Sequence, residues 1–179
     1  MKRYINPDRS EWKDITERPH INAAKLNGIV SEILEDIKLL GDASVKKYEE
    51  QFDKVKLDSL AVSQEEIAEA LKLVPKSLYE AIVSAHKNIY KFHYSQKSVH
   101  NKVETCPGVT CWQKDIAIEK VGLYIPGGTA PLFSTVLMLA TPAKIAGCKD
   151  IVLCTPPDKN GKVNPAILAA AHVAGVNMI

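Results

Sequence analysis

Apolar positions recur at helical spacing near the start of the chain. Between residues 26 and 40 they follow one another at intervals of three or four, which predicts an amphipathic helix. These positions are Leu26, Ile29, Val30, Ile33, Leu34, Ile37 and Leu40. Gly41 is predicted to end the helix in a left-handed conformation. Asp42 is predicted to cap a second, shorter helix. The apolar side of that helix carries Val45, Tyr48 and Phe52.

Two further helices are predicted before residue 100. Ser63 and Glu66 have the spacing of a capping box, so a third helix is expected to begin at Gln64. Its buried positions are predicted to be Ile67, Ala70, Leu71 and Val74. After Pro75, Ser77 is predicted to cap a fourth helix. The inward positions of this fourth helix are predicted to be Leu78, Ile82, Ala85, Ile89 and Phe92.

The pattern changes to short strands after residue 101. The segments VETC and VTC flank Pro107-Gly108, which predicts a hairpin, and Trp112 is expected to cover an edge of the core. A strand running into Tyr124 is followed by a predicted helix, Ser134 to Ala146, that Gly147 ends.

A second strand and helix repeat this order. The apolar run Ile151 to Cys154 predicts a strand, and Asn164-Pro165 begins a helix that Gly175 ends. The last residues, 176–179, are typical of the opening of another strand. Short apolar strands alternating with helices predict an α/β fold. We expect a helical N-terminal region, residues 1–100, followed by an incomplete Rossmann-like parallel sheet with flanking helices, residues 101–179.

Composition excludes several classes of protein. Hydrophobic residues make up 46% of the 179 positions and charged residues 25%, which is ordinary for a soluble globular protein. The net charge of +2 gives no argument for binding nucleic acid. No run of about 18 apolar residues predicts a membrane span. The N-terminus lacks the apolar core of a signal peptide, so we expect a cytoplasmic protein.

The cysteines and histidines give no strong metal signal. Cys106, Cys111, Cys148 and Cys154 form no CxxC pair and have no histidine at zinc-ligand spacing, so we expect reduced thiols. His86 and His93 lie seven residues apart on the fourth predicted helix. A metal or proton-relay role is conceivable for this pair, but the ordinary interpretation is two helix-surface histidines. His20, His100 and His172 are isolated in the sequence.

A glycine-rich stretch joins the strand at Tyr124 to the next helix. Its sequence, Tyr124-Ile125-Pro126-Gly127-Gly128-Thr129, occupies the turn where α/β sheets bind ligands. Glycines let the backbone approach a bound group, Pro126 and Pro131 stiffen the loop, and helix N-terminal amides favour a pyrophosphate. Hydroxyls are available from Thr129, Ser134 and Thr135. The stretch matches neither GxGxxG nor a Walker sequence. Two interpretations therefore stay open: a nucleotide-binding corner, or a tight turn that needs its glycines for geometry.

The segment VGLYIPGGTAPLFSTVLMLATPAKIAGCKDIVLCTPP closely resembles the corresponding part of the histidinol dehydrogenases. The segments LLGD, YEEQFDK, KNIYKFHYSQ and ETCPGV agree as well, in the same order. The resemblance therefore covers essentially the whole chain. The glycines alone would not be specific, but this long ordered set of matches is.

The resemblance implies an enzyme that oxidises L-histidinol to L-histidine in two NAD-dependent steps with the help of zinc. It also implies a homodimer with two Rossmann-like halves and intertwined subunits. The tyrosine of the GLYIPGG motif, here Tyr124, is implied to contact NAD, offering a flat ring and a polar tip. Pro126 and Phe52 are further candidates for the cofactor surface, although Phe52 also suits simple packing on its helix.

The resemblance places the family's catalytic machinery beyond Ile179. The Glu-His acid/base pair, the Gln, His, Asp and His zinc ligands and the contacts to the substrate carboxylate all fall there. We therefore predict no catalytic and no metal-binding residue in this chain, and we expect an N-terminal part that is inactive alone. One alternative is a non-catalytic binding or oligomerisation module that pairs through an open sheet edge. Another is a different NAD-linked aldehyde or alcohol dehydrogenase.

Overall fold

A computed structural model of the protein describes residues 3–18, 24–127 and 130–179. His20, Gly128 and Thr129, named above, lie outside the described residues. The longer helices are α1 (Trp12–Thr16), α2 (Ala24–Leu40), α3 (Asp42–Phe52), α4 (Gln64–Leu73), α5 (Lys76–Tyr94), α6 (Phe133–Ala146) and α7 (Pro165–Ala174). The strands are β1 (Val103–Cys106), β2 (Val109–Cys111), β3 (Lys120–Tyr124) and β4 (Asp150–Cys154).

The chain divides into two compact units, Met1–Ser44 and Val45–Ile179. The first unit holds a short 3-10 turn, Arg9–Glu11, followed by α1 and α2. The second unit holds α4 to α7 and the four strands named above, and the division falls within α3. Helices α5 and α6, which come from either side of residue 100, pack against each other in this second unit. The predicted domain boundary after residue 100 stays a prediction.

Helix ends follow the predicted caps at most positions. Gly41 ends α2 with a φ of +59°, and Gly147 and Gly175 end α6 and α7 with φ values of +92° and +74°. Because a residue with a Cβ rarely adopts this conformation, the three glycines determine where these helices stop. The Asn164 side chain accepts a hydrogen bond from the Ala166 N–H at 2.9 Å, which caps α7 as expected.

The capping box of α4 is confirmed in both directions. Ser63 Oγ accepts from the Glu66 N–H at 3.1 Å, and Glu66 Oε2 accepts from the Ser63 N–H at 3.1 Å. Two other predicted caps were wrong. Asp42 is the first residue of α3 rather than its cap, because the left-handed Gly41 turns the chain directly from one helix into the next. Ser77 lies inside α5, which already begins after Pro75.

Two predicted core positions are on the surface. Phe92 is 62% exposed, because the last turn of α5 lies outside the core. The fully buried side chain of this helix is Ile82, near its middle. Trp112 is 58% exposed and covers no core edge. It follows the antiparallel hairpin β1–β2, which was predicted correctly but whose residues are all exposed.

Strands β3 and β4 pair in parallel along their whole length, from Lys120 opposite Asp150 to Tyr124 opposite Cys154. The end of the chain continues the sheet on the other side of β4, where Met178 forms a parallel bridge with Val152. The Leu153 N–H donates to the Met178 carbonyl at 2.8 Å. This arrangement confirms the predicted fold class: an N-terminal helical region followed by a Rossmann-like parallel sheet with flanking helices.

The core of the second unit lies between the sheet and helices α4 to α7. Helix α6 packs against α5 and α7, and α4 packs against α7. The fully buried side chains include Ile82, Ile125, Leu137, Ile151 and Leu153. Most of α7 is buried as well, because its run of alanines leaves little side-chain bulk between the helix and its neighbours. Burial of these apolar side chains is the main force that fixes the carboxyl edge of the sheet.

Candidate functional site

The carboxyl ends of β3 and β4 lie side by side. Tyr124 and Cys154 are the last pair of the ladder, and the Ile125 N–H extends it by donating to the Cys154 carbonyl at 2.9 Å. The bend at Pro126–Gly127 and the segment that begins at Thr155 therefore leave the sheet from the same edge. This edge is where parallel α/β sheets bind their ligands.

A cleft of about 520 Å³ opens at this edge. The bend supplies Pro126 and Gly127, α4 supplies Glu66 and Glu69, and the segment after β4 forms the opposite wall. Among the described residues, the lining consists of Val62, Glu66, Glu69, Ala70, Leu73, Pro126, Gly127, Ala130, Pro131, Thr155, Pro156, Pro157, Asp158, Lys162, Val163, Asn164, Pro165, Ile167 and Leu168. The volume falls within the range of small-molecule and cofactor sites.

The bend touches the opposite wall where Gly127 meets the ring of Pro156. A Cβ built on Gly127 would lie 2.5 Å from Pro156 Cγ, a distance that real Cβ atoms do not show. Glycine at position 127 therefore permits a close approach between the two loops, in addition to any role in the turn itself.

Within the described ranges, four charged side chains line the cleft, and three of them are acidic. Lys162 Nζ lies 2.5 Å from Glu66 Oε1, which makes a close ion pair, while Glu69 and Asp158 add two further negative charges. The hydrogen bond from Lys162, followed by the one from the Ser63 N–H, lowers the pKa of Glu66. The same contact raises the pKa of Lys162. Both partners are therefore held in their charged forms at neutral pH.

Asp158 closes a tight turn in the wall after β4. Its Oδ1 accepts from the Asn160 N–H at 2.8 Å and from the Lys162 N–H at 2.9 Å. These backbone hydrogen bonds, the one from Lys162 first, lower the pKa of Asp158. The Asp158 N–H donates to the Lys162 carbonyl at 2.8 Å, and Gly161 takes a φ of +74° between them. The carboxylate thus shapes the loop that presents Lys162.

The three predicted cofactor residues are accessible. Tyr124 is 65% exposed at the end of β3 and lies beside the cleft without lining it, whereas Pro126 is part of the lining. Phe52, at the end of α3, is 57% exposed and stacks on Tyr48 with ring centroids 5.8 Å apart. Because Phe52 is largely uncovered, core packing does not explain it. The cofactor role of all three residues stays a prediction.

The chemistry of this edge fits a dinucleotide. Leu132, the residue before α6, makes no side-chain hydrogen bond to the first turn of the helix, so the backbone amides there suit an anionic group. The exposed ring of Tyr124 and the proline faces of Pro126 and Pro156 suit flat rings and sugars. The carboxylates of Glu66, Glu69 and Asp158 disfavour a pyrophosphate beside them, so a dinucleotide in this cleft would place its pyrophosphate nearer the N-terminus of α6.

The residues present do not fit a zinc site. Across residues 3–18, 24–127 and 130–179, no three histidine, cysteine or acidic side chains come together as metal ligands. The four cysteines are free thiols, of which Cys148 is buried and the others are exposed.

The histidines are explained by their local contacts. His93 Nδ1 lies 2.7 Å from Gln96 Oε1, and burial lowers the pKa of His86 on the same helix. His100 is not isolated, because its Nε2 lies 3.0 Å from Asp115 Oδ2. His172 is exposed in the last turn of α7.

Sequence reasoning missed the polar residues of the cleft. The sequence pattern assigns Glu66 to a capping box and assigns no role to Asp158 and Lys162. The acidic residue shortly after the second parallel strand was a usable signal, because that position lies at the ligand-binding edge. Nothing in the sequence pattern links Glu66 to Lys162, which stand 96 residues apart.

Comparisons with known proteins agree on one family. Residues 16–179 match the family model for histidinol dehydrogenase. The histidinol dehydrogenase of Bacteroides fragilis is 60% identical over 179 residues, which is all of this chain and 42% of the relative. That of Bacteroides thetaiotaomicron is 56% identical with the same coverage. The crystal structure of histidinol dehydrogenase from Elizabethkingia anophelis superposes with a TM-score of 0.90 at 51% identity, covering 97% of this chain and 40% of that one. The chain thus spans about two fifths of the length of these relatives.

No helix within the described part of the chain is both long and apolar enough to cross a membrane.

Proposed function

Because this chain belongs to the histidinol dehydrogenase family, we propose that it forms the N-terminal, NAD-contacting part of an enzyme that oxidises L-histidinol to L-histidine. The main support for this proposal is the position of the bend after Tyr124. It stands at the carboxyl edge of a parallel sheet, beside a cleft, on the segment that leads to α6, whose N-cap residue Leu132 makes no side-chain hydrogen bond to the helix. That combination is the one that parallel α/β sheets use to bind dinucleotides.

In this proposal Tyr124, Pro126 and Phe52 provide the surface on which NAD lies. An exposed aromatic ring gains from stacking on a planar base, and proline offers a rigid apolar face at low entropic cost. When bound, NAD accepts the hydride that leaves the substrate carbon. The role of this chain is to bind and orient the cofactor.

The remaining parts of the proposal concern the longer enzyme. Its two NAD-dependent steps, its use of zinc and its homodimeric state are implied by the family resemblance, and we propose a cytoplasmic location as well. The zinc ligands and the acid/base pair would come from residues outside this chain. We therefore propose that the 179-residue chain alone oxidises no histidinol.

NADH binding tests the cofactor part of the proposal. The fluorescence of NADH is titrated with the wild-type chain and with Tyr124→Ala, Tyr124→Phe and Tyr94→Ala. Loss of the ring in Tyr124→Ala is expected to weaken binding by about two- to tenfold, the range of one aromatic contact. Tyr124→Phe keeps the ring and is expected to bind nearly as the wild type does. Tyr94 is a similarly exposed tyrosine that lies at the end of α5 rather than at the end of β3, so its alanine variant is the matched control.

Wild-type protein that shows no saturable NADH binding would refute this proposal. Equal binding by wild type and Tyr124→Ala would remove Tyr124 from the cofactor surface.

A chimera tests the enzymatic part. In it, this chain replaces the matching segment of the Bacteroides fragilis enzyme, which is 60% identical. With histidinol, NAD and zinc, the chimera is expected to form NADH, whereas the 179-residue chain is expected to form none. NADH formation by the pure chain would contradict the proposal that this chain alone oxidises no histidinol. A chimera that is folded but inactive would argue against the assigned reaction.

A further inference from the structure

The wall of the cleft opposite the bend is a short loop that begins at Thr155 and ends at Lys162. Thr155, Pro156, Pro157, Asp158 and Lys162 all line the cleft. At its inner end this wall touches the bend, through Pro156 and Gly127. A change in the position of the wall therefore changes the width of the cleft.

The outer end of the wall is a rigid turn. Asp158 holds it closed by three hydrogen bonds to the backbone of residues 160 and 162. Gly161 at its tip faces Leu57, since a Cβ built there would lie 3.2 Å from Leu57 Cδ2. The turn is therefore braced by its own hydrogen bonds, so a contact at its tip helps to set the position of the wall.

A carboxylate of α4 holds this tip. Lys162 Nζ lies 2.5 Å from Glu66 Oε1, across 96 residues of sequence. Glu66 is itself fixed, because its Oε2 accepts from the Ser63 N–H in the capping box of α4. Oε2 of Glu66 thus belongs to the capping box of α4, while Oε1 binds Lys162 at the end of the wall. A charge-assisted hydrogen bond is the stronger kind of polar contact, which suits a tether.

We propose that Glu66 is a positioning residue for the cofactor cleft, which acts through Lys162 to hold the Thr155–Lys162 wall at the distance from the bend that NAD requires. The inference rests on the proposed function, because it takes NAD as the occupant of this edge. Glu66 does not need to touch the cofactor in this role. Its effect is on the affinity for NAD and not on the chemical step.

Four variants separate this tether from other roles. Glu66→Gln keeps an oxygen for the Ser63 N–H but removes the charge that holds Lys162. Lys162→Met removes the other partner, and the double variant removes both. Glu65→Gln is the matched control, since Glu65 is an acidic neighbour in the first turn of α4 that does not line the cleft.

NADH titration of the wild-type chain and these variants is the first measurement. Glu66→Gln and Lys162→Met are expected to weaken NADH binding by the same factor, about two- to fivefold, the range of a partly exposed ion pair. The double variant is expected to be no weaker than either single one, because both act on one contact. Glu65→Gln is expected to bind as the wild type does.

In the chimera with the Bacteroides fragilis enzyme, the expected change is in KM for NAD. KM for NAD rises by the same factor in Glu66→Gln while kcat stays within about twofold, since only ground-state binding of the cofactor changes. A fall in kcat with an unchanged KM would overturn the inference. The inference would also be overturned if Lys162→Met weakened NADH binding and Glu66→Gln did not, because Lys162 would then contact the cofactor without help from Glu66.

Amide hydrogen exchange separates failure of this inference from failure of the proposed function. Exchange in residues 155–162 is expected to be faster in Glu66→Gln than in wild type, whether or not NADH binds. Unchanged exchange in these residues would overturn the tether. If exchange is faster in Glu66→Gln but the wild-type chain binds no NADH, the contact between Glu66 and Lys162 still holds the loop. Its link to NAD is then refuted together with the proposed function.

Discussion

Gly127 lies so close to Pro156 that a Cβ at position 127 would stand 2.5 Å from Pro156 Cγ. Neither residue can retreat easily. Ile125, two residues before the glycine, is fully buried, and Cys154, two residues before the proline, is the last residue of the parallel ladder. The glycine at the bend therefore serves a contact between two loops that are nearly thirty residues apart.

Gly127→Ala is expected to push the wall away from the bend. The clash costs about 1–3 kcal/mol in the free energy of unfolding, as other overpacked sites do, and NADH binding weakens as well. Gly122→Ala is the control, because Gly122 lies in β3 and a Cβ there would meet nothing within 4 Å. Chemical denaturation and NADH titration of both variants measure the two effects. Equal stability of the two variants would contradict the close contact.

The pair of Glu66 and Lys162 gives a defined pH dependence. The folded-state pKa of Glu66 lies below its ordinary value of 4.5, with the Lys162 hydrogen bond as the largest cause. The stabilisation is therefore complete above that ordinary value and is lost as the pH falls through the folded-state pKa. Glu66→Gln is expected to melt below wild type at neutral pH, with the difference shrinking as the pH falls below 4.5 and through the folded-state pKa. Melting curves across this range check it, with Glu65→Gln as control. A difference that persists unchanged in acid would contradict the electrostatic origin.

Glu49 on α3 is expected to destabilise the folded protein at neutral pH, whereas Glu66 stabilises it. Burial, followed by the charge of Asp53, raises the pKa of Glu49 above 4.5, and its Oε2 has no hydrogen-bond partner within the described ranges. Its contribution is therefore most favourable below pH 4.5 and is lost as the pH rises through the folded-state pKa. Glu49→Gln is expected to melt above wild type at neutral pH and to lose this advantage in acid. Glu50→Gln, at an exposed neighbouring position, is the comparison, and a lower melting temperature for Glu49→Gln at neutral pH would disprove the prediction.

Thr141 of α6 carries a buried hydroxyl that is not hydrogen-bonded. Its side chain is fully buried in the core, and no partner for Oγ1 exists among the described residues. Thr141→Val keeps the shape and removes the unpaired group, so we expect stabilisation of about 1 kcal/mol. Thr141→Ser keeps the hydroxyl but loses a methyl group and is expected to be less stable than wild type. Urea denaturation of the three proteins measures the order, and a destabilised valine variant would show that the hydroxyl is satisfied after all.

Much of the secondary structure could be predicted because its signals are local. A glycine at Gly41, Gly147 or Gly175 stops a helix wherever the rest of the chain lies, since only the backbone conformation at that residue matters. The capping box of Ser63 and Glu66 joins groups three residues apart, so it forms without help from the fold. The errors at Phe92 and Trp112 have the opposite cause. Apolar character predicts a tendency to be buried, but only neighbours in space decide whether a core exists at that position.

The helices, the parallel strands, the family and the bend after Tyr124 could all be predicted from the order of the residues. Each of these depends on short-range preferences or on an ordered run of residues. The contact of Gly127 with Pro156 and that of Glu66 with Lys162 arise only in the folded chain. These contacts join segments that meet only after the core of α5, α6, α7 and the sheet has formed. No spacing along the chain encodes them, because their geometry is set by how buried side chains pack between the elements.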